Sequence, residues 1–436
     1  MARTGSRPLT INEPSARQPS ARPPTASQPP ASRLSREGLA RLHDSMAAHV
    51  AAGRMPGLVA LVACGDDVHV DAIGSPSFAS GTPMARHAIF RIASLTKPVT
   101  AAATMSLVEE GTLRLDEPVD EFLPELAGRR VLRAIDAELD DTVPASRPIT
   151  LEDLLSFRLG FGSVLAPPGS YPIQRAEAEL GLQSIGGPPW PPVAHDADSW
   201  IGALGSLPLM CQPGEQWLYN TSAQVLGVLL ARASGKDLES VLRERIFEPL
   251  GMTDTGFTVP AGQLSRLTTA YRPDPVTGEL SVLDDAARSW WSTPPSFPDG
   301  SGWLVSTIDD YWSFVSMMLA GGTGRGERIL SPATVALMTT DRLTSSQRDA
   351  SALFLGENGG WGLGLRVPAT GTAGQLLPGG GIGWDGGTGT TWRSSPRSGV
   401  TGILFTQREV TSPVPSQLVE DFWAGINAAT AARDPR

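Results

Sequence analysis

The segments of this 436-residue chain that have the pattern of β-strands lie near its two ends. Residues 58–63 and 68–73 are short strand-like runs joined by turn residues, and residues 400–407 (V-T-G-I-L-F-T-Q) have the apolar pattern of a buried strand. From about residue 115 to residue 300 the sequence favours helices and loops. The two ends are therefore expected to supply strands with flanking helices, and the middle of the chain a helical region.

Several shorter elements follow from local patterns. Helices are predicted from residue 34 and over residues 417–433, where an apolar face recurs with helical spacing. A third helix is predicted to begin at S-L-T-K, and Pro98 is compatible with it because the first helical turn does not need that N–H. Residues 88–91 are predicted to form a strand, and Asn358-Gly359 is a hairpin signal.

Composition limits the class of protein and its partners. Residues 1–33 are rich in Pro, Ser, Ala and Arg and lack an apolar run, which predicts a disordered tail before one domain over residues 34–433. No later stretch has the 18 or so apolar residues of a membrane span. The net charge of -10 without a basic cluster argues against nucleic acid and anionic membranes as partners. A soluble cytoplasmic protein is expected, and the sequence specifies no oligomeric state.

Several kinds of catalytic centre have no support in the sequence. Cys64 and Cys211 have neither a disulfide framework nor a metal-binding spacing and are expected to be free buried thiols. The five histidines do not cluster, and neither H-E-x-x-H nor G-x-S-x-G occurs. Residues 381–386 match G-x-G-x-x-G, but no helix is predicted after them, as a dinucleotide site requires. We therefore expect no metal and no cofactor.

The stretch R-I-A-S-L-T-K contains one of only two lysines in the chain, Lys97 and Lys236. S-x-x-K alone matches easily by chance, but Lys can lose its proton where Arg cannot. On a helix, Ser94 and Lys97 would share a face, so that the amine reaches the hydroxyl. The Ser94 backbone N–H would be a free donor at the helix start. A nearby tyrosine would help this base, and Tyr219 lies in a suitable loop before an apolar helix.

Three segments resemble the active-site motifs of the serine β-lactamase-related superfamily: S-L-T-K, P-G-E-Q-W-L-Y-N and G-W-D-G-G-T-G-T. This superfamily includes class C β-lactamases, penicillin-binding D-alanyl-D-alanine peptidases and family VIII carboxylesterases. The resemblance extends over about residues 34–430 in the order of the family. It implies an α+β fold of the β-lactamase/transpeptidase type, in which an antiparallel sheet is flanked by helices and carries an inserted helical region. The α/β part would span about residues 34–110 and 300–433, and the helical part about residues 111–299.

The resemblance also implies roles for individual residues. Ser94 would be the acylated nucleophile, Lys97 its base partner and Tyr219 the second member of that base. The oxyanion would lie between the backbone N–H groups of Ser94 and Gly387. Whether Lys97 or Tyr219 takes the first proton is left open by the sequence.

Two motifs depart from the pattern of the β-lactamases. Thr221 stands where they have the amide of Y-x-N, and Trp384-Asp385-Gly386 replaces K-T-G or H-T-G. Trp cannot hold a substrate carboxylate, and Asp385 would repel one if both faced the pocket. The change resembles the esterase branch and is closest to family VIII carboxylesterases, although Arg393 offers a substitute positive charge.

The predicted function is that of a serine esterase acting on small to medium neutral esters through an acyl-enzyme. β-Lactam or D-amino-acid peptide hydrolysis and acyl transfer to an alcohol share the same first step. A binding or assembly module is the alternative from another class, and the joint presence of the three catalytic candidates counts against it. Core packing is the alternative for any one tryptophan. The predicted substrate-binding residues are Trp384, Asp385, Gly386, Thr221 and Trp361.

Overall fold

The computed structural model of the protein describes residues 33–182, 193–369 and 381–430. The predicted tail, residues 1–33, lies outside these ranges except for its last residue. The last three residues of the predicted closing helix, 431–433, also lie outside them.

The main sheet of the described residues has seven strands, and all neighbouring strands are antiparallel. Its order is β11-β12-β13-β14-β15-β1-β2, so strands from the two ends of the chain, β1 and β15, lie side by side within it. The α+β class and the antiparallel sheet predicted above are confirmed. The strands are β1 (Gly57–Cys64), β2 (Asp67–Gly74), β11 (Gly359–Trp361), β12 (Arg366–Pro368), β13 (Ile382–Gly386), β14 (Thr390–Ser395) and β15 (Val400–Thr406).

The sequence of β1, G-L-V-A-L-V-A-C, is buried along its whole length because both faces of the sheet are covered. Successive side chains of a strand point to opposite faces. Accordingly, Val59 and Leu61 pack into the larger core, and Leu58 and Val62 pack into a second, smaller one. β1 pairs with β15 on one side and β2 on the other, which confirms the three predicted strands.

Helices cover both faces of this sheet. The first and last helices pack against each other over the smaller core, where Leu42 and Met46 meet Phe422 and Ile426. The other helices lie in the larger core or around it. The helices are α1 (Arg36–Ala51), α2 (Thr96–Glu109), α3 (Leu151–Leu155), α4 (Pro172–Glu179), α5 (Ala197–Ser206), α6 (Thr221–Ser234), α7 (Leu238–Leu242), α8 (Glu248–Leu250), α9 (Ile308–Leu319), α10 (Pro332–Met338), α11 (Ser345–Ala350), α12 (Ala352–Leu355) and α13 (Gln417–Thr430).

In the described ranges, four two-stranded pairs lie outside the main sheet, and two local predictions of strands and turns need correction. Of residues 88–91, only Phe90–Arg91 (β3) is a strand, and it pairs with Val305–Ser306 (β8). Asn358-Gly359 is not a hairpin turn, because Gly359 begins β11 and the reversal to β12 comes at residues 362–365. The other pairs are β4 (Arg130–Leu132) with β5 (Thr142–Pro144), β6 (Ala270–Pro273) with β7 (Leu280–Asp284), and β9 (Thr323–Gly324) with β10 (Glu327–Arg328).

Candidate active site

Ser94 and Lys97 lie where the chain enters α2. Ser94 is the middle residue of a 3₁₀ turn, Ala93–Leu95, and Lys97 is the second residue of α2. The i, i+3 spacing places both side chains on one face, and the Nζ of Lys97 lies 2.9 Å from the Oγ of Ser94. Ala93 has a φ of 45°, a left-handed conformation that is uncommon for residues other than glycine. The backbone is therefore strained directly before the serine, as is frequent at functional sites.

Tyr219 reaches Ser94 from the turn before α6. Its Oη donates a hydrogen bond of 2.8 Å to the Oγ of Ser94. The turn is a three-residue γ-turn: Asn220 has φ 80° and ψ -63°, and the N–H of Thr221 donates to the carbonyl of Tyr219 at 3.2 Å. A second strained residue therefore stands beside a candidate catalytic side chain. It lets the chain reverse between Tyr219 and the first residue of the helix.

The amine of Lys97 is enclosed by protein. Only 1% of the residue is exposed, Nζ donates to the carbonyl of Ser301 at 2.7 Å, and it lies 4.7 Å from the centre of the Tyr219 ring. Burial lowers the pKa of Lys97 to about 7, and the carboxylate of Asp299 acts in the opposite direction. A large fraction of this amine is therefore neutral near pH 7 and able to accept a proton.

The hydroxyl of Tyr219 has a second partner that the sequence did not predict. The indole Nε1 of Trp384 donates to the Oη of Tyr219 at 2.9 Å. Burial raises the pKa of Tyr219 well above its usual range, while its hydrogen bonds with Ser94 and Trp384 act to lower it. Tyr219 is therefore a neutral phenol at ordinary pH, fixed in orientation between an indole and a serine.

Trp384 and Asp385 lie on opposite faces of the sheet, because successive residues of β13 alternate. The Asp385 carboxylate pairs with Arg393 at 2.5 Å and accepts from Thr391. Both partners belong to β14 and lie on the face away from Trp384. The role of Asp385 in substrate binding stays a prediction, and its carboxylate is paired on the face opposite Trp384. Arg393 is likewise committed to Asp385 and offers no substitute cation beside Ser94.

Gly386 ends β13 against the backbone that leads to Ser94. A Cβ atom at this position would lie 2.5 Å from the carbonyl oxygen of Ile92 and would also meet Thr390. The hydroxyl of Thr390 donates to the same carbonyl at 3.0 Å, which ties β14 to this backbone as well. The turn that contains Gly387 consequently lies next to the start of the Ser94 helix, as an oxyanion site requires. The assignment of the Ser94 and Gly387 N–H groups to the oxyanion stays a prediction.

The two remaining predicted substrate-binding residues are enclosed. Trp361 has no exposed surface, and its Nε1 donates to the carbonyl of Leu155 at 3.2 Å. Its ring meets that of Trp384 edge to face at 4.7 Å, so it supports Trp384 from behind. The assignment of Trp361 to substrate binding stays a prediction. Thr221 is also buried, and its Oγ1 has no hydrogen-bond partner within the described ranges.

A cavity of about 310 Å³ lies beside Tyr219. Its lining has no charged side chain. Apart from Tyr219, sequence analysis did not identify the lining residues, which come from four separate segments and share no local motif. They are Ile135, Ser163, Val164, Leu165, Met210, Cys211, Gln216, Trp217, Leu218, Tyr219, Ala350, Ser351 and Phe354.

Metal and thiol chemistry have no centre in the part of the chain that the structure describes. No group of three His, Cys, Asp or Glu side chains there has an arrangement that could hold a metal ion. Cys64 and Cys211 are free and buried, as predicted, and burial raises the pKa of the Cys211 thiol to about 12. None of the described helices combines the length and apolar character needed to cross a membrane.

Comparison with known proteins agrees with this geometry. Protein Rv1367c of Mycobacterium tuberculosis is 41% identical over 365 residues, which cover 82% of this chain and 86% of that protein. Esterase EstB of Burkholderia gladioli is 28% identical over 81% of this chain and 86% of its own length. The structure of EstCE1, described as a hydrolase with promiscuous acyltransferase activity, superposes with a TM-score of 0.72 at 24% identity, covering 89% of this chain and 98% of that one. Residues 42–419 match the Beta-lactamase family, and the chain therefore belongs to that family.

Proposed function

We propose that this protein is a serine esterase that cleaves small to medium neutral carboxylic esters through an acyl-enzyme on Ser94. The observation that carries the proposal is the position of the Ser94 Oγ, which lies 2.9 Å from the Lys97 amine and 2.8 Å from the Tyr219 hydroxyl. A serine becomes a nucleophile when an adjacent base takes its proton. The likeness to an esterase over most of both chains supports the same reaction.

The hydrogen bonds around Ser94 favour Lys97 as the base of the first step. An indole N–H can only donate, so Trp384 occupies a lone pair of the Tyr219 Oη. The phenolic proton then donates to the Ser94 Oγ. The Ser94 hydroxyl can then donate its own proton to the neutral amine of Lys97. An N–H of that amine donates to the carbonyl of Ser301. With Lys97 neutral, the donors can therefore run in one direction from Trp384 to Ser301, whereas a protonated Lys97 donates to the Ser94 Oγ as well.

The acylation step follows from this order of hydrogen-bond donors. The Ser94 Oγ attacks the ester carbonyl carbon as its proton passes to the Lys97 Nζ, and the carbonyl oxygen becomes an oxyanion beside the N–H groups of Ser94 and Gly387. When the carbonyl re-forms, the C–O bond to the alcohol breaks. The leaving oxygen takes a proton from the Tyr219–Lys97 pair, and the net change is an acyl-Ser94 and a free alcohol.

Deacylation uses the same groups in reverse. The Lys97–Tyr219 pair takes a proton from water as the water oxygen attacks the acyl carbon. The bond to the Ser94 Oγ then breaks, and Ser94 regains a proton. The products are a carboxylic acid and the free enzyme, so one ester and one water are consumed in each cycle.

Neutral substrates suit the site because, among the described residues, the hydrogen-bond partners of Ser94 and Tyr219 and the lining of the cavity include no cationic side chain apart from Lys97. Trp384 occupies the position at which penicillin-acting relatives would have Lys or His, and its indole is already bonded to Tyr219. The cavity beside Tyr219 has an uncharged and largely apolar lining. An anionic substrate would lose one charge-assisted contact, worth about 1.5–3 kcal/mol or roughly ten- to a hundredfold in affinity.

The experiment is a comparison of kcat/KM for p-nitrophenyl acetate and butyrate with that for a chromogenic cephalosporin. We expect the esters to be favoured by about a hundredfold, in line with the missing contact. Ser94→Ala should abolish ester turnover with little change in thermal stability. Faster hydrolysis of the cephalosporin would refute the esterase assignment. An organophosphonate that fails to label Ser94 would point instead to a catalytically silent binding module.

Acyl transfer to an alcohol is the second candidate function. The apolar lining beside Tyr219 suits an alcohol better than water, and EstCE1, with the same fold, is described as having acyltransferase activity. The two outcomes share the acyl-enzyme and differ only in the acceptor. Adding a medium-sized primary alcohol to the ester assay and measuring the ratio of new ester to free acid distinguishes them.

A further inference from the structure

Asp299 is a buried carboxylate close to the catalytic candidates that none of the steps above uses. Only 1% of the residue is exposed. Its Oδ1 accepts from the backbone N–H of Ser301 at 2.7 Å, and its Oδ2 accepts from the side-chain amide of Gln224 at 3.1 Å. Within the described ranges, no nitrogen of Lys, Arg or His lies within 4.0 Å of it. Buried carboxylates are normally paired with a cation, so this one requires an explanation.

The hydrogen bonds of Asp299 lead directly to Lys97. The turn that Asp299 closes onto the N–H of Ser301 also presents the carbonyl of Ser301, which accepts from the Lys97 Nζ at 2.7 Å. Gln224 lies in the first turns of α6, the helix that follows Tyr219. The carboxylate therefore sits between the loop that holds the amine and the helix that positions the phenol.

We propose that Asp299 is a positioning residue that holds the Ser301 carbonyl against the Lys97 amine and whose negative charge sets the fraction of that amine carrying a proton. The proposal rests on the esterase function proposed above, because it concerns the base of that reaction. A carboxylate beyond ion-pair distance favours the ammonium form without holding it as tightly as a salt bridge would. It thereby keeps a deeply buried amine basic enough to take the serine proton.

The electrostatic surroundings of Lys97 support this assignment. Burial is the largest influence on the Lys97 pKa and lowers it, and Asp299 opposes that effect. The other groups around the amine are the Ser94 hydroxyl on its own helical segment and the ring of Tyr219 from the turn before α6. Asp385 lies on the far face of β13 and acts on Tyr219. Asp299 is thus the carboxylate whose removal should change the titration of Lys97 itself.

The test is the pH dependence of kcat/KM for p-nitrophenyl butyrate in Asp299→Asn. Asparagine keeps an oxygen for the Ser301 N–H, and its amide can donate to the Gln224 Oε1, which has no partner in the described structure. Removing only the charge should make Lys97 easier to deprotonate. We expect the acid limb of the profile to move to lower pH by roughly one unit. At a pH well below the wild-type limb, kcat/KM should therefore rise about tenfold, and the plateau should fall by no more than about threefold.

Two further variants separate charge from structure. Gln224→Met removes a hydrogen bond to Asp299 but keeps the carboxylate, and its acid limb should stay within about 0.3 pH units of wild type, a shift small beside that of a lost charge. Asp299→Ser keeps a hydrogen-bond acceptor, the serine hydroxyl, without the charge. It is the variant to measure if Asp299→Asn does not fold. An acid limb that does not move in an active, folded Asp299→Asn or Asp299→Ser enzyme overturns the proposal. A wild-type enzyme that neither hydrolyses the ester nor is labelled by an organophosphonate refutes the proposed function as well.

Discussion

At the scale of single residues, we expect the indole of Trp384 to contribute to catalysis by holding Tyr219, because its Nε1 donates to the Tyr219 Oη. Trp384→Phe keeps an aromatic ring but removes the donor to the Tyr219 Oη. The phenol is then free to rotate away from Ser94. The loss of one hydrogen bond of about 1–1.5 kcal/mol should lower kcat about tenfold and leave KM for a neutral ester nearly unchanged. Steady-state kinetics with p-nitrophenyl butyrate measures both.

The matched control is Trp392→Phe. Trp392 lies opposite Trp384 in the β13–β14 register, but its Nε1 donates to Ser394 and its ring packs against Tyr311. This change should cost stability without the tenfold fall in kcat. Equal effects of the two substitutions on kcat would show that Trp384 acts only by packing.

A second residue-scale prediction concerns Lys97, the base in the proposed mechanism. The active form is the neutral amine, so kcat/KM should rise with pH through about 7, where the buried amine titrates. Lys97→Arg should reduce kcat/KM nearly as much as Lys97→Ala, because an arginine does not release its proton. Lys236, which is exposed and paired with Glu244, provides the control, and Lys236→Arg should leave the profile unchanged. Substantial activity in Lys97→Arg would restrict Lys97 to electrostatic support.

At the scale of elements, the parts of the site that are encoded in short segments could be predicted from the sequence. Ser94 and Lys97 are three residues apart where the chain enters α2, and Tyr219 lies two residues before α6, so each carries a local signal. The opposite orientations of Trp384 and Asp385 also follow from a local rule, the alternation of side chains along a strand. That rule would have placed Asp385 on the face opposite Trp384 if residues 382–386 had been recognised as a strand. Their two glycines, Gly383 and Gly386, hid the pattern, since glycine is depleted in strands.

The close approach of β13 to the Ser94 segment gives a prediction for this element. Gly386→Ala would place a Cβ 2.5 Å from the carbonyl oxygen of Ile92, a backbone atom that cannot move away on its own. The strand and its Gly387 turn must then shift relative to Ser94. A displacement of this kind should lower kcat by about 10- to 100-fold. Gly202→Ala in α5 has open space around the new Cβ and should leave kcat unchanged. Wild-type kcat in Gly386→Ala would show that the Gly387 turn does not contribute to the oxyanion site.

At the scale of the whole molecule, strands from both ends of the chain form one sheet, and the candidate site lies where segments distant in sequence meet. Lys97, Ser301 and Asp299 come together across about 200 residues of sequence. The cavity beside Tyr219 likewise combines four separate segments. Local sequence patterns do not predict these long-range contacts, because the contacts depend on how the helical region folds back onto the sheet. Three strands of the sheet, β1, β2 and β15, could be predicted, because β1 and β15 are apolar runs and a turn joins β1 to β2.

The sheet carries the candidate site on one face and the α1–α13 helix pair on the other. We therefore expect substitutions in the helix pair to change the stability of the protein and not its kcat. Phe422 in α13 is fully buried in the smaller core, remote in sequence and in sheet face from Ser94. Phe422→Ala should lower the free energy of unfolding by about 3–5 kcal/mol through lost burial and a cavity. The folded fraction at 25 °C should nevertheless keep a kcat within about twofold of wild type, since additivity holds for distant sites without shared partners. Denaturant unfolding and active-site titration with an organophosphonate measure the two quantities on the same sample. A kcat per titrated site that falls together with stability would show that the helix pair and the catalytic face are coupled through the sheet.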